Sequence, residues 1–189
     1  FLTLLKEMQQ KSALATTTPI KQKDLNKHSV RLSYKVIDST EELHSLIHML
    51  KTKKALCIDT ETTSIDPMEA KLVGIGFGIE PGSAWYIPTN GSLGLTKVLA
   101  AIKPLLEQET IAFYGHNIKY DIHVLKNHGI TIERIGFDTL LASYLLAPQK
   151  GRHSLDELSF EKFGTVKTPI KDLIGKGKTQ KSMLDVPIE

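Results

Sequence analysis

The stretch Ala55-Leu-Cys-Ile-Asp-Thr-Glu-Thr62 decides the reading of this chain. Its first four residues are apolar and suit a buried strand, and the strand ends in two carboxylates one residue apart. In an extended backbone, residues i and i+2 point to the same side, so Asp59 and Glu61 face the same space. Two like charges held together are unfavourable unless something neutralises them, and a divalent metal ion is the usual partner for paired hard oxygen ligands.

The elements around this strand alternate. Tyr34–Ile37 reads as a short strand, followed by the capping box Ser39-Thr-Glu-Glu42 and by Leu43, Leu46, Ile47 and Leu50 at helical spacing. Strand patterns at Ala55–Asp59, Leu72–Ile79 and Ala84–Pro88 are joined by short turn-rich segments, which predicts antiparallel neighbours. Leu95–Glu107 predicts a helix despite Pro104, Ile111–Tyr114 a strand, and Lys119–His128 a helix stopped by Gly129. A strand at Thr131–Gly136 then leads into a helix over Asp138–Leu146. The strand-helix-strand crossover implies parallel pairing, so the class is α/β with a mixed sheet. Beyond Pro148 lie a basic loop, a helix at Ser154–Phe163, and a Gly/Lys/Thr-rich loop to Lys181, expected to lie across the edge of the sheet. Residues 1–30 read as the end of a preceding domain and a flexible linker, with a second domain from 31 to 189.

A chain of 189 residues, 41% hydrophobic, can bury a core of its own. No apolar stretch reaches the roughly 18 residues of a membrane span, and no signal-peptide pattern opens the chain. Those absences predict a soluble, cytoplasmic protein without a membrane partner. The lone Cys57 sits in the apolar strand and is expected to be buried and inert. The net charge of +3 is unevenly spread: residues 150–181 carry eight Lys/Arg against four acids, whereas 36–149 carry nine against thirteen. A local positive strip suited to nucleic acid is therefore confined to the later segment.

A second cluster, Gly115-His-Asn-Ile-Lys-Tyr-Asp121, follows a strand and opens a helix, setting a third carboxylate in its first turn. Asp121 alone is equally a helix-dipole residue. With Asp59 and Glu61 it forms a set at the C-terminal edge of adjacent strands, where α/β folds carry their sites. Gly74-Ile-Gly-Phe-Gly78 lacks the last glycine and the helix of a dinucleotide fingerprint, and Gly177-Lys-Thr179 lacks the first glycine of a phosphate loop, so no nucleotide cofactor is expected.

Asp59-Thr-Glu61 and Asn117-x-x-x-Asp121 resemble the first two motifs of the DEDD 3'-5' exonucleases, in particular the proofreading domain of bacterial family A DNA polymerases, the polymerase I type. The resemblance extends through Leu72-Val-Gly-Ile-Gly-Phe77, Tyr86-Ile-Pro88, Phe137-Asp-Thr139, Gly151-Arg-His153 and Gly175-Lys-Gly-Lys178, over about residues 32–185. It implies an RNase H-like, DnaQ-like fold and two-metal hydrolysis of the 3'-terminal phosphodiester of single-stranded DNA with Mg²⁺ or Mn²⁺. It further implies that Asp59 bridges both ions, that Glu61 binds the nucleophile-side ion, and that Asp121 holds the second through water. Ile65 matches an apolar wedge against the terminal bases, and Asn117, Tyr120 and Arg152 match strand contacts. Tyr120 equally suits core packing, and Arg152 an ordinary surface cation. His116 stands where the family often has Gln.

The family's third motif, Tyr-x-x-x-Asp on a helix, does not follow Asp121 here, because Tyr144 is succeeded at the fourth position by Pro148. By the usual spacing it is expected a few residues past Glu189, which makes the domain C-terminally incomplete and its own activity weak or absent. Phe1-Leu-Thr-Leu-Leu5 is similar to the end of a 5' nuclease domain. The resemblance thus implies a parent polymerase acting in DNA repair and replication, whose remaining domains are partners. A non-catalytic structural domain of such a polymerase, and a free-standing DEDD ribonuclease, are the alternatives.

Overall fold

The computed structural model describes residues 33–177 and 180–188. The proposed linker at 1–30 and the Phe1–Leu5 similarity lie outside the described residues. Six strands form one sheet in the order β1-β4-β3-β2-β5-β6, with β1 at Ser33–Val36, β2 at Ala55–Thr62, β3 at Leu72–Glu80, β4 at Ser83–Pro88, β5 at Ala112–Gly115 and β6 at Ile135–Asp138. The hairpin partners β2, β3 and β4 are antiparallel, and β1–β4, β2–β5 and β5–β6 are parallel. The sheet is mixed, as the connection lengths required.

Burial alternates along β2: Leu56, Ile58 and Thr60 are buried, while Ala55, Cys57 and Asp59 are exposed. The buried side packs with Ile75 and Phe77 of β3, Ile87 of β4 and Phe113 of β5 in a single cluster. Three helices close that cluster: α1 (Thr40–Leu50), α2 (Leu95–Leu106) and α3 (Ile118–Asn127). They contribute Leu43, Leu46, Leu50, Val98, Ile102, Leu105 and Leu125, each almost or wholly removed from water. Each such side chain stabilises the fold by about 1.5–3 kcal/mol. Ser39 caps α1 by accepting from the Glu42 N–H at 3.3 Å, but Glu42 pairs with Lys35 at 2.7 Å, so the reciprocal half of the predicted capping box gives way to an ion pair.

On the other face the central strand β3 presents only glycines, flanked by Tyr86 of β4 and Tyr114 of β5. Cys57, Asp59 and Glu61 lie opposite Gly78, Gly76 and Gly74 of β3. Cys57 is therefore exposed on the open face, which corrects the expectation of a buried thiol; the alternation of β2 turns it away from the helices. Gly74 is required by Tyr86, because a Cβ there would collide with the hydroxyl end of the Tyr86 ring. Gly74→Ala is expected to cost about 1–3 kcal/mol in urea unfolding, as overpacking does. Adding Tyr86→Ala to Gly74→Ala should recover most of that loss.

Two expectations shift. The strand predicted at 131–136 forms at Ile135–Asp138, because Ile130 and Ile132 are drawn into the core beneath α3 and leave 131–134 as connecting chain. The later segment is more ordered than a loop: after α4 (Thr139–Leu146) and α5 (Leu155–Phe163) come a short α6 (Ile170–Ile174) and a 3-10 turn at Met183–Asp185. Leu155 and Leu158 of α5 line a cavity with Phe137 of the edge strand β6, whereas the turn beyond Lys181 meets the open face. Met183, Val186 and Pro187 line a cavity with Glu61 of β2, Val73 of β3 and Tyr86 of β4, and Asn90 donates to the Leu184 carbonyl at 3.3 Å. The small residues of the open face leave room for this segment there. None of the described helices is long and apolar enough to cross a membrane.

Candidate functional site

Two carboxylates stand on the open face because strand alternation puts them there, opposite the glycines of β3. Asp59 is exposed yet lies at the floor of the face, where surrounding atoms strip much of its hydration and push its carboxyl above the usual range, while the Lys167 ammonium pulls it back. Burial also raises Glu61, the neighbouring Asp59 charge adds to the rise, and Lys167 again opposes it. The Tyr86 hydroxyl, over Gly74, is pushed up to about 12 by burial and then by Glu61, so it stays a neutral donor beside the acids.

Asp121 is held differently. It sits in the first turn of α3 but caps nothing there; its Oδ1 accepts from the Thr60 N–H at 2.8 Å and the Thr60 hydroxyl at 2.6 Å. Thr60, between the two acids, thus turns to the helix side and locks the second motif onto the first. Burial pushes the Asp121 carboxyl up to about 7, with Asp59 adding to the rise and the Thr60 bonds opposing it. The Asp59 charge therefore reaches both other acids. Among the described residues, however, no three His, Cys, Asp or Glu side chains converge in an arrangement that could hold a metal ion. Asp121 Oδ1 is committed to Thr60, which leaves Oδ2 for another partner.

The entry to α3 is shaped by Asp138. Its carboxylate accepts from the N–H groups of Asn117 at 3.1 Å and Ile118 at 2.9 Å, and also from Leu140 at 2.8 Å and Leu141 at 3.2 Å, so one buried acid serves the starts of two helices. Asn117 consequently needs no capping side chain. It adopts the left-handed conformation, φ 59°, which Asn tolerates better than most residues. His116 Nδ1 meets the Thr139 hydroxyl at 2.9 Å, tying the second motif to α4.

A cleft of about 510 Å³ brings together Glu61, Ile65, Asn117 and Tyr120 from the first two motifs with Ile170, Lys181 and Met183 from the later segment. Ile65 is 97% exposed at its rim. Tyr120 packs its ring against the Ala70, Leu72 and Val124 cluster, as the core reading expects, and its hydroxyl bonds within the chain to the Ser64 carbonyl and the Thr62 hydroxyl. Arg152 is exposed and does not line this cleft. The residues that sequence reasoning missed are Thr60, Tyr86, Lys167 and Ile170. Only Thr60 carried a local signal, a hydroxyl between two acids; the others reach the site through tertiary folding.

A family profile described as 3'-5' exonuclease matches residues 34–186. The chain belongs to this family. DNA polymerase I of Pseudomonas aeruginosa is 34% identical over 167 residues, covering 84% of this chain and 18% of that protein. This 3'-5' exonuclease chain therefore spans about a fifth of the length of that relative. Among solved structures, Escherichia coli RNase D superposes with a TM-score of 0.60 at 19% identity, covering 84% of this chain and 39% of that one. NrnC of Brucella melitensis, solved with bound Mg²⁺, gives 0.52 at 22% identity, covering 73% and 64%. These likenesses show the RNase H-like exonuclease fold, and divalent metal use goes with the DEDD family.

Proposed function

We propose that the exonuclease domain removes nucleotides from the 3' end of single-stranded DNA, as part of a polymerase of the polymerase I type that acts in the cytoplasm in repair and replication. The observation that carries this reading is the Asp59/Glu61 pair on an open, glycine-floored face beside a cleft that also holds Ile65 and Asn117. The donor set suits the ions: hard carboxylate oxygens whose mutual repulsion leaves them short of positive charge. Asp59, Glu61 and Asp121 would hold Mg²⁺ or Mn²⁺, which in this chemistry generates hydroxide at neutral pH and stabilises the leaving 3' oxygen. The protein's own part is to hold the acids together at the site, to seat the terminal nucleotide against Ile65 and Asn117, and to fix the strand between the motif loops and α6. Arg152, away from the cleft, would meet the phosphate backbone further along the strand.

Retention of three acids and the family match disfavour a purely structural domain. The test is release of nucleotide from 3'-labelled single-stranded DNA in Mn²⁺ under excess protein, with EDTA as the blank. Release that persists in EDTA would sink the reading. Ile65→Ala should raise the DNA concentration for half-maximal rate by about three- to tenfold, the worth of one apolar contact, and leave urea unfolding unchanged. An unchanged half-maximal concentration would remove Ile65 from the site.

A further inference from the structure

We infer that Lys181 is a phosphate contact of the cleft, its ammonium meeting a backbone phosphate near the 3' end of the strand seated there. The inference rests on the reading of the cleft as a site for the 3' end of single-stranded DNA.

Among the described residues the cleft is lined by one acid, Glu61 of β2, and one cation, Lys181 of the later segment. A phosphodiester entering beside Glu61 meets like charge, so the strand needs a cation in the same cleft. The basic strip at 150–181 holds eight Lys/Arg, but folding engages several of them elsewhere. Lys150 and Lys162 pair with Glu161, Lys167 pairs with Asp156, and Arg152 lies away from the cleft. Lys181 is exposed, and no carboxylate among the described residues forms an ion pair with its ammonium. Its backbone, by contrast, is held on both sides. The Lys181 N–H donates to the Ile174 carbonyl at 2.7 Å, which ties it to the end of α6. Ser182 caps the 3-10 turn that follows: its hydroxyl accepts from the Leu184 N–H at 3.2 Å, and its own N–H donates to Asp185 Oδ2 at 3.2 Å. Asn90 fixes that turn through the Leu184 carbonyl. A flexible stem on a fixed backbone delivers a compact charge to the cleft and lets the ammonium follow a phosphate. Ile65 and Ile170 offer apolar surface to a base, so Lys181 supplies the charge that the cleft otherwise lacks.

Binding of a labelled single-stranded oligodeoxynucleotide to the whole chain, in EDTA to prevent hydrolysis, reads the contact through its salt dependence. One phosphate contact on a single strand contributes about 0.7 to the slope of log affinity against log salt. Lys181→Met should therefore lower that slope by about 0.7, weakening binding about eightfold at about 50 mM salt and about threefold at about 200 mM. Lys181→Arg should keep the slope, and urea unfolding of Lys181→Met should be unchanged, since the bond to Ile174 is made by the backbone. Ile65→Ala removes an apolar contact and should weaken binding with the slope unaltered. A loss of that second kind for Lys181→Met, or no loss, would overturn the phosphate contact. The phosphate is located by replacing the 3'-terminal linkages of the strand, one at a time, with neutral methylphosphonate. Against one of these strands Lys181→Met should bind as tightly as the unaltered chain, because the partner charge is already gone. A cost that persists against all of them overturns the placement of Lys181 at the 3' end. If the unaltered chain binds no single-stranded DNA, the reading of the cleft falls and the role of Lys181 with it, whereas binding with an unchanged slope in Lys181→Met removes that role alone.

Discussion

Asp59→Asn should lower Mn²⁺-dependent release of 3'-terminal nucleotides by at least about a hundredfold while the protein stays folded. The substitution keeps the shape of the side chain and deletes one charge. It is the most consequential charge of the site, because it raises the carboxyls of both Glu61 and Asp121 and lies across from Gly76. The neutral amide oxygen is a poor ligand for a hard divalent cation, so affinity for Mn²⁺ should fall with the rate. Stability should change little, since relief of the repulsion with Glu61 and Asp121 offsets the lost attraction to Lys167, and among the described residues no side-chain hydrogen bond depends on Asp59. Single-turnover release, Mn²⁺ titration and urea unfolding read the three quantities separately. If the rate survives, Asp59 is not a metal ligand; if the rate falls together with the urea midpoint, the loss belongs to folding.

What could be read from the chain and what could not divide along physical lines. β2, the antiparallel β2–β3–β4 set and α1 to α3 follow from local periodicity, because each buries a face that its own sequence marks. The acids were legible for the same reason: alternation along one strand fixes the side on which Asp59 and Glu61 emerge. Cys57 was misread because four apolar residues in a row look buried on both sides, whereas half of them face a surface that only Gly74, Gly76 and Gly78 leave open. The bond between Asp121 and Thr60 joins residues 61 positions apart, and Ile170 enters the cleft beside Glu61 from a helix much later in the chain. Neither has a local signature. Arg152 shows the limit of carrying a motif by sequence alone, since a surface cation in a matching motif does not by itself line the cleft.

The pH dependence of stability should be dominated by Asp121, and in the sense opposite to that of an ordinary paired acid. In the folded chain its carboxyl keeps its proton up to about 7, whereas unfolding returns it to its ordinary value near 3.8. Between those values the native state holds more protons than the unfolded state, so raising the pH favours unfolding. Asp121's contribution is full below about pH 4 and disappears as pH rises through 7. One pH unit over this interval is worth at most about 1.4 kcal/mol, and the whole window on the order of 3 kcal/mol. Surface acids such as Glu107 and Glu161, lowered by their lysines, act with the opposite sign, so the comparison must be with Asp121→Asn rather than with pH alone. The unaltered chain in EDTA should lose stability relative to Asp121→Asn on going from pH 4.5 to 7.5, measured as unfolding free energy in urea. Thr60 keeps an acceptor in the variant, because the amide oxygen can take the place of Oδ1. A difference that stays flat across the interval, or grows in favour of the unaltered chain, would mean that Asp121 is ionised in the folded protein and that its burial is compensated by a charge on the site side. The Asn variant would then lose its value as a neutral reference, and Asp121 would stand with Asp59 and Glu61 as an acid already prepared for a cation.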